Sequence, residues 1–448
     1  LSPEGAAAQF QARSLDDPGL RVFLESNGIV GEWPRKTWDL RDLTLVAFYY
    51  HPDLALARAQ LGTVQAGEKT AGERPNPSVS FTPGYDAQIP GAPSPWILPV
   101  TFDLPIETAG KRRYRVAEAR DLSDSAYWKW VGTVWQTRSK VRDAWLALAV
   151  AERTQTLLAE EESAQSNVVR LLEGQVSAGA AAEFEVTQAR VALDTTRLSR
   201  EDAQRRQAQA RAEMAMALGL PVAALTDARF ADDALESLPE ILTEPEVRQA
   251  ALINRSDVRG ALADFAASQS ALQLAIAGQY PDLHLGPGYS WNSGSAGDNQ
   301  WQLGATMTLP VLNQNRGAIA EAEAKRREEA AHFQAVQAQA AGEIDVALAG
   351  FAGARQSAHT ADALLDSLNQ RLSSVRAMQK SGDADPLTVA GAEVEFTSGA
   401  LARLDALEKA QQALGQLEDA AQSPLTLSEA EIQGARASQS PALSTNDR

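Results

Sequence analysis

From Leu283 to Leu309 apolar and polar side chains alternate with a period of two. Leu283, Leu285, Pro287, Tyr289 and Trp291 fall on one face of an extended segment, and His284, Gly286, Gly288 and Ser290 on the other. After the Gly/Ser/Asn/Asp loop from Asn292 to Gln300, Trp301, Leu303, Ala305, Met307 and Leu309 oppose Gln302, Gly304, Thr306 and Thr308. A poorer copy lies upstream. Val79, Phe81 and Tyr85 alternate with Ser78, Ser80 and Thr82, and Trp96, Leu98, Val100, Phe102 and Leu104 follow the loop Asp86 to Pro95. Period two predicts strands with one apolar face. Segments of about ten residues with aromatics beside a polar loop fit membrane-spanning β-strands. A soluble hairpin capping a coiled coil is the alternative. Pro83, Pro99 and Pro287 donate no ladder hydrogen bond, so bulges or strand bends are expected there.

Elsewhere the pattern changes to helix. Eight of the 21 prolines fall between Pro75 and Pro105; then none occurs until Pro221, and a second gap separates Pro310 from Pro386. Proline costs about 3 kcal/mol inside a helix, and both gaps are filled with Ala, Glu, Gln, Arg and Leu, which favour helix. Long helices are predicted at 111–177 and 316–380, each a rod of roughly 100 Å at about 1.5 Å per residue. Leu365, Leu368, Leu372 and Val375 advance by 3, 4 and 3, and Leu407, Leu414 and Leu417 keep the same seam later. That narrow stripe suits lengthwise coiled-coil packing.

The chain repeats itself at an offset near 204. Pro77 and Pro83-Gly84-Tyr85 recur as Pro281 and Pro287-Gly288-Tyr289; Asp53 matches Asp257; Leu104-Pro105 matches Leu309-Pro310; Ala117-Glu118-Ala119 matches Ala322-Glu323-Ala324. Gly179, Phe184, Val186 and Ala189 align with Gly382, Leu387, Val389 and Ala392. The expected organisation is an N-terminal extension (1–38) and a first repeat (39–220) with strands near 78–86 and 96–105 and helices 111–177 and 181–219. An inter-repeat segment (221–245) leads to a second repeat (246–423) with strands near 282–291 and 300–310 and helices 316–380 and 386–422. A C-terminal tail (424–448) closes the sequence.

Composition narrows the function. A net charge of −17 argues against a nucleic-acid partner, which needs clustered Lys and Arg. Zero cysteines exclude disulfides, thiolate metal sites and Cys nucleophiles, and suit an oxidising compartment. No stretch approaches the roughly 18 consecutive apolar residues of a membrane-spanning helix. The opening Leu1-Ser2-Pro3-Glu4 carries no signal-peptide features, so a cytosolic protein or prior removal of a signal is expected. No catalytic constellation, P-loop or HExxH is present; His51, His284, His332 and His359 are scattered, and no catalytic, cofactor or metal site is expected. Four strands cannot close a barrel, and an open barrel in lipid leaves its edges unsatisfied, so closure demands an oligomer; three copies supply twelve strands.

This combination resembles the outer-membrane factor family of Gram-negative tripartite efflux and secretion systems, the TolC-like channels. The likeness covers about Trp38 to Ser423 and rests on the duplicated plan. Leu45-Val46-Ala47-Phe48-Tyr49-Tyr50-His51-Pro52-Asp53-Leu54, Leu104-Pro105-Ile106-Glu107-Thr108-Ala109-Gly110-Lys111-Arg112-Arg113 and the opening Ala12-Arg13-Ser14-Leu15-Asp16-Asp17-Pro18 look like the heavy-metal branch, the outer channels of cobalt–zinc–cadmium or copper–silver pumps. The resemblance implies an α+β, mostly α fold of duplicated helix–strand–strand–helix halves. It further implies a homotrimer with a 12-strand β-barrel on a 12-helix α-barrel. An equatorial belt would form from Pro221–Pro245, the residues after Pro424 and the N-terminal extension. It also implies a location in outer-membrane lipid with a long periplasmic extension, a periplasmic adaptor (membrane fusion protein) and a resistance–nodulation–division pump as partners, and passive export of heavy-metal cations. A drug-efflux or type I secretion duct, and a soluble coiled-coil scaffold, are the alternatives.

Two groups of residues are then candidates for function. Tyr85, Trp96, Tyr289, Trp291 and Trp301 are expected to face lipid as an aromatic girdle. Gly179 and Gly382 are expected to end helices at the hairpin turns, where Glu183, Glu185, Asp383 and Asp385 would form an acidic periplasmic tip. Plain N-capping is a compatible role for Asp385. The aspartates that constrict the best-known family member would align with Thr388 and Gly391; Asp385 or Glu185 would have to substitute. Lys111, Arg112, Arg113 and Arg115 are expected at lipid headgroups or at a solvated helix start.

Overall fold

In the computed structural model of the chain, residues 2–85, 96–239, 248, 252–292 and 299–424 are described. The loop 86–95, most of the loop 292–300, residues 240–247 and the tail after 424 lie outside them, including those parts of the expected belt. The elements are α1 (Pro3–Gln11), α2 (Pro18–Ser26), β1 (Thr37–Trp38), α3 (Leu40–Tyr50), α4 (Pro52–Gly72), β2 (Ser78–Phe81), β3 (Gly84–Tyr85), β4 (Trp96–Ile106), α5 (Lys111–Ser177) and α6 (Glu183–Leu218). There follow β5 (Arg229–Phe230), α7 (Ser256–Ala277), β6 (Leu283–Asn292), β7 (Gln300–Met307), α8 (Arg316–Ser381) and α9 (Pro386–Ala421). The protein is mostly helical α+β. Both proline-free gaps are mostly helix, as their composition favours. Helix ends differ from the sequence expectation by one or two residues, the scale on which termini fray.

The chain forms two units. The first comprises 1–56, 131–255 and 339–448. Its main core gathers Leu20, Leu24, Trp38, Leu43 and Val46 with Val141, Trp145 and Leu148 of α5, Met214 and Leu218 of α6, and Leu225 and Leu235. The N-terminal segment and the segment after α6 therefore share one core, and β1 pairs in parallel with β5 through Thr37↔Arg229 and Trp38↔Phe230. Trp145 Nε1 donates to the Ala231 carbonyl at 2.9 Å. Gly219 ends α6 at φ +71°, where an added Cβ would meet the Tyr50 carbonyl oxygen at 2.9 Å; only glycine fits both demands. A second cluster packs Ile344 and Phe351 of α8 on Leu414, Leu417 and Ala421 of α9.

The second unit comprises 57–130 and 256–338 and contains an antiparallel sheet in the order β2/β3, β4, β6, β7. Its register corrects one expectation. β2 pairs through Phe81↔Val100 and β3 through Gly84↔Ile97, so the same register resumes beyond the break at Thr82-Pro83. β4 and β6 keep one register from Ile97↔Asn292 to Ile106↔Leu283, with the ladder open only opposite Gly286 and Pro287. β6 and β7 pair without interruption, Pro287↔Leu303 included. The prolines remove hydrogen bonds without inserting a residue, so there are interruptions and no bulge. β7 also stops at Met307, short of the expected 310, because its partner β6 begins at Leu283, directly opposite Met307.

The basic run after β4 has partners within the chain. Arg115 Nε donates to the Ala71 carbonyl at 2.9 Å, one of its terminal nitrogens to the Glu73 carbonyl at 3.1 Å, and another to Glu107 Oε1 at 2.7 Å. Arg112 donates to the Gly72 carbonyl at 2.5 Å and Lys111 pairs with Asp282 at 2.8 Å. Arg113 lies over the Tyr114 ring. Arg112 and Arg115 thus satisfy the last carbonyls of α4, which would otherwise be orphaned.

Candidate functional site: an apolar sheet face and two capped hairpin turns

Because the register never slips, one parity is shared across the whole sheet. Val79 lies opposite Phe102, Phe81 opposite Val100, Val100 opposite Tyr289, Leu285 opposite both Leu104 and Ala305, and Tyr289 opposite Trp301. All of these fall on one face. On the other, Ser80 and Thr101 share a hydrogen bond at 2.8 Å, and His284 faces Thr306. The apolar face is not a core. Trp301 is 83% exposed and Leu303 77%, with Val79, Phe81, Tyr85, Trp96, Phe102 and Met307 also exposed. A contiguous apolar surface of this extent marks an interaction with lipid or protein. The aromatic candidates gather toward the loop end: Tyr85 packs edge-on against Trp96 at 5.2 Å, Tyr289 lies 4.7 Å from Trp301, and Trp291 faces Leu98. Among the described residues both outermost strands, β2/β3 and β7, have one unpaired edge.

The two helix–helix turns share one construction. Gly179 at φ +73° and Gly382 at φ +87° end α5 and α8. In the first, Gly179 N–H donates to the Val176 carbonyl and Ala180 N–H to the Gln175 carbonyl, at 2.9 and 2.8 Å. In the second, Gly382 donates to Gln379 and Asp383 to Met378, at 3.1 and 2.8 Å. Each is a glycine cap with a six-to-one bond, which satisfies helix-end carbonyls. Behind the turns, Glu173–Arg190 and Arg376–Glu393 bridge the hairpin helices at 2.6 and 2.8 Å, with the charges exchanged between the two hairpins.

The helix starts differ. Asp385 caps α9: its Oδ1 accepts from Thr388 N–H at 2.7 Å and from the Thr388 hydroxyl. Those two bonds, the hydroxyl first, hold the Asp385 carboxyl below the usual carboxylate range. Asp383 accepts from the Ser381 hydroxyl at 2.8 Å. Ala182 caps α6 with no side-chain bond, so exposed Glu183 and Glu185 meet the helix N-terminus only through its dipole. Replacing Asp385 with Ala should therefore lower hairpin stability by about 0.5–2 kcal/mol. Because the folded carboxyl is depressed, its contribution is full above the unfolded carboxylate range and disappears as pH falls through the folded value. Urea midpoints of wild type and Asp385→Ala, compared at neutral and acid pH, check both statements: the gap should narrow in acid. Thr388 is engaged in the Asp385 cap, and Gly391 has open space around it.

Sequence reasoning missed a polar cluster in the first unit. Glu418 of α9 is 2% exposed and accepts from Arg138 at 2.9 Å and Arg142 at 3.4 Å, both from α5. Arg142 also donates to the Gly415 carbonyl at 2.8 Å and to Asp419 at 3.1 Å, and Asp419 accepts from Trp135 Nε1 at 2.9 Å. An added Cβ at Gly415 would collide with the Arg142 guanidinium. An unexplained glycine in the Ala/Leu seam was the available signal.

Known proteins place this architecture. The pattern of the family described as outer membrane efflux protein matches residues 47–220 and 247–423, so the chain belongs to that family. It is 28% identical over 182 residues to the pyoverdine export outer membrane protein OpmQ of Pseudomonas aeruginosa; that match covers 40% of this chain and spans 38% of the relative's length. The fold is similar to that of the outer membrane protein VceC of Vibrio cholerae, with a TM-score of 0.67 at 20% identity over 86% of this chain and 96% of that one. It is also similar to CusC, described in connection with transmembrane channel formation, with a TM-score of 0.68 at 18% identity over 88% and 95%.

Proposed function

We propose that the chain is one third of the wall of a passive outer-membrane exit duct. Three copies close a twelve-strand barrel in the outer membrane, with the paired long helices forming a periplasmic tunnel. A periplasmic adaptor and an inner-membrane pump supply docking and energy, and the chain itself catalyses no reaction. The observation that carries this reading is the exposed apolar sheet face, bounded by two unpaired edges that only another copy can satisfy in lipid. Family membership supports it, as does the double match of one family pattern, which agrees with a duplicated chain. The helices add a further sign. Phe184, Val191 and Leu198 of α6, spaced by seven, form an exposed stripe. Their counterparts on α9, Leu387, Val394 and Leu401, are partly covered. The uncovered stripe suits a neighbouring copy in the trimer. The test is direct: the purified chain should migrate in detergent as a trimer that shifts on boiling, and should conduct in planar bilayers. A stable monomer in detergent-free buffer overturns the reading.

Within it, Asp383, Asp385, Glu183 and Glu185 form an acidic tip that favours cations. Replacing Asp383 and Asp385 together with Ala should raise single-channel conductance or reduce cation preference; unchanged values leave them as caps alone. The cargo reading is heavy-metal cations, supported by the resemblance of residues 45–54 and 104–113 to the heavy-metal branch. The similarity to OpmQ favours a second cargo, an exported compound of the pyoverdine kind. Deleting the gene separates them: sensitivity to cobalt, zinc, cadmium or copper supports the first, and loss of an extracellular pyoverdine-type compound the second.

A further inference from the structure

On the polar face of the sheet, His284 of β6 and Asp103 of β4 meet. The imidazole Nδ1 lies in the fork of the carboxylate, 3.0 Å from Oδ1 and 3.1 Å from Oδ2. Their side chains are 42% and 48% exposed. An ionised carboxylate only accepts, so the contact places a proton on Nδ1, and whenever the ring carries that one proton alone Nε2 presents a lone pair. Among the described residues Nε2 has no hydrogen-bond partner. The neighbouring cations are otherwise engaged, Lys111 with Asp282 at 2.8 Å and Arg115 with Glu107 at 2.7 Å. The residues opposite the pair are the uncharged Thr306, Pro105 and Ser78.

We infer that His284 Nε2, oriented by Asp103, is a contact site for divalent transition-metal cations on the polar wall of the sheet, one per copy. A carboxylate holding the far nitrogen of a histidine is the arrangement that fixes the tautomer, aims the ring and raises the basicity of the ligating nitrogen. Imidazole suits zinc, copper and nickel, whereas magnesium prefers a shell of oxygens. One protein nitrogen with water completing the shell binds weakly, as a site in a conduit must, since passage requires release. A salt bridge between exposed groups adds little stability, so holding strands together is not a sufficient role for the pair. The inference deepens the duct reading, in which this face lines the lumen.

Equilibrium dialysis of the detergent-solubilised full chain against zinc chloride tests it. Wild type should bind one more zinc per chain than His284→Gln, displaced by nickel and not by magnesium. Asp103→Asn should retain that zinc with an affinity about 10–100-fold lower. Equal zinc on wild type and His284→Gln overturns the site, and equal affinity in Asp103→Asn overturns the orienting role. Trimer migration of each variant reports folding. Conductance of the same preparations separates the two readings: conducting trimers without the zinc difference sink the site alone, and a zinc difference without conductance sinks the duct alone.

Discussion

Leu303→Arg should abolish trimer assembly in the membrane, although Leu303 is 77% exposed and touches no core of its own chain. In water, a substitution at so exposed a position changes stability by no more than about 0.5 kcal/mol. In lipid the same change is governed by depth. Leu303 pairs with Pro287 near the middle of β6, on the apolar face, and a cationic side chain near a bilayer midplane costs about 2–4 kcal/mol. The cost is repeated in every copy. Its neighbour Gln302 points to the polar face opposite Gly288, so Gln302→Arg is the control and should assemble normally. The measurement is the yield of boiling-sensitive trimer from outer-membrane fractions. Equal yields from the two variants would mean that the faces do not distinguish lipid from water, and would falsify the barrel reading.

The second large effect lies in the helical unit. Glu418→Ala should lower stability by about 3–5 kcal/mol, because it leaves buried positive charge uncompensated between α5 and α9, chiefly at Arg138, since Arg142 keeps Asp419. Burial makes this cluster unlike the many exposed ion pairs along the helices, such as Arg190–Glu173, where solvent screening leaves little stability to lose. Glu418→Gln, which keeps an acceptor but no charge, should fall between. Thermal unfolding in detergent, followed by circular dichroism, should rank wild type above Gln and Gln above Ala. An unchanged midpoint for Glu418→Ala would show that Asp419 and the Gly415 carbonyl suffice for Arg142.

Much of the fold could be read in advance because its signals are local. The absence of proline between Pro105 and Pro221 permits α5 and α6, and the parity of Leu283, Leu285, Tyr289 and Trp291 is a property of neighbours two apart. Glycine at 179 and 382 marks left-handed caps for the same reason. What escaped was set by distance along the chain. Arg115 seeks carbonyls more than forty residues earlier, and Glu418 meets Arg138 across 280 residues; nothing in the flanking sequence of either specifies that partner. The prolines misled in an instructive way. Lack of an N–H correctly predicts a broken ladder, but a ladder can lose bonds at Pro287 and Pro83 while neighbouring pairs hold the alignment. At the hairpin turns, the capping chemistry of Asp385 is visible and the proposed attraction of cations is not, because a ring of charge exists only in an assembly.

The unlike helix starts at Ala182 and Asp385 have a mechanical consequence. One hairpin end is fastened by a carboxylate that grips two groups of Thr388, while the other lacks any such clasp. In a closed ring of three copies, stiff and compliant jaws would alternate. Such a ring would yield with threefold rather than sixfold symmetry, starting at the α5–α6 ends, and amide exchange should be faster at residues 183–185 than at 387–388.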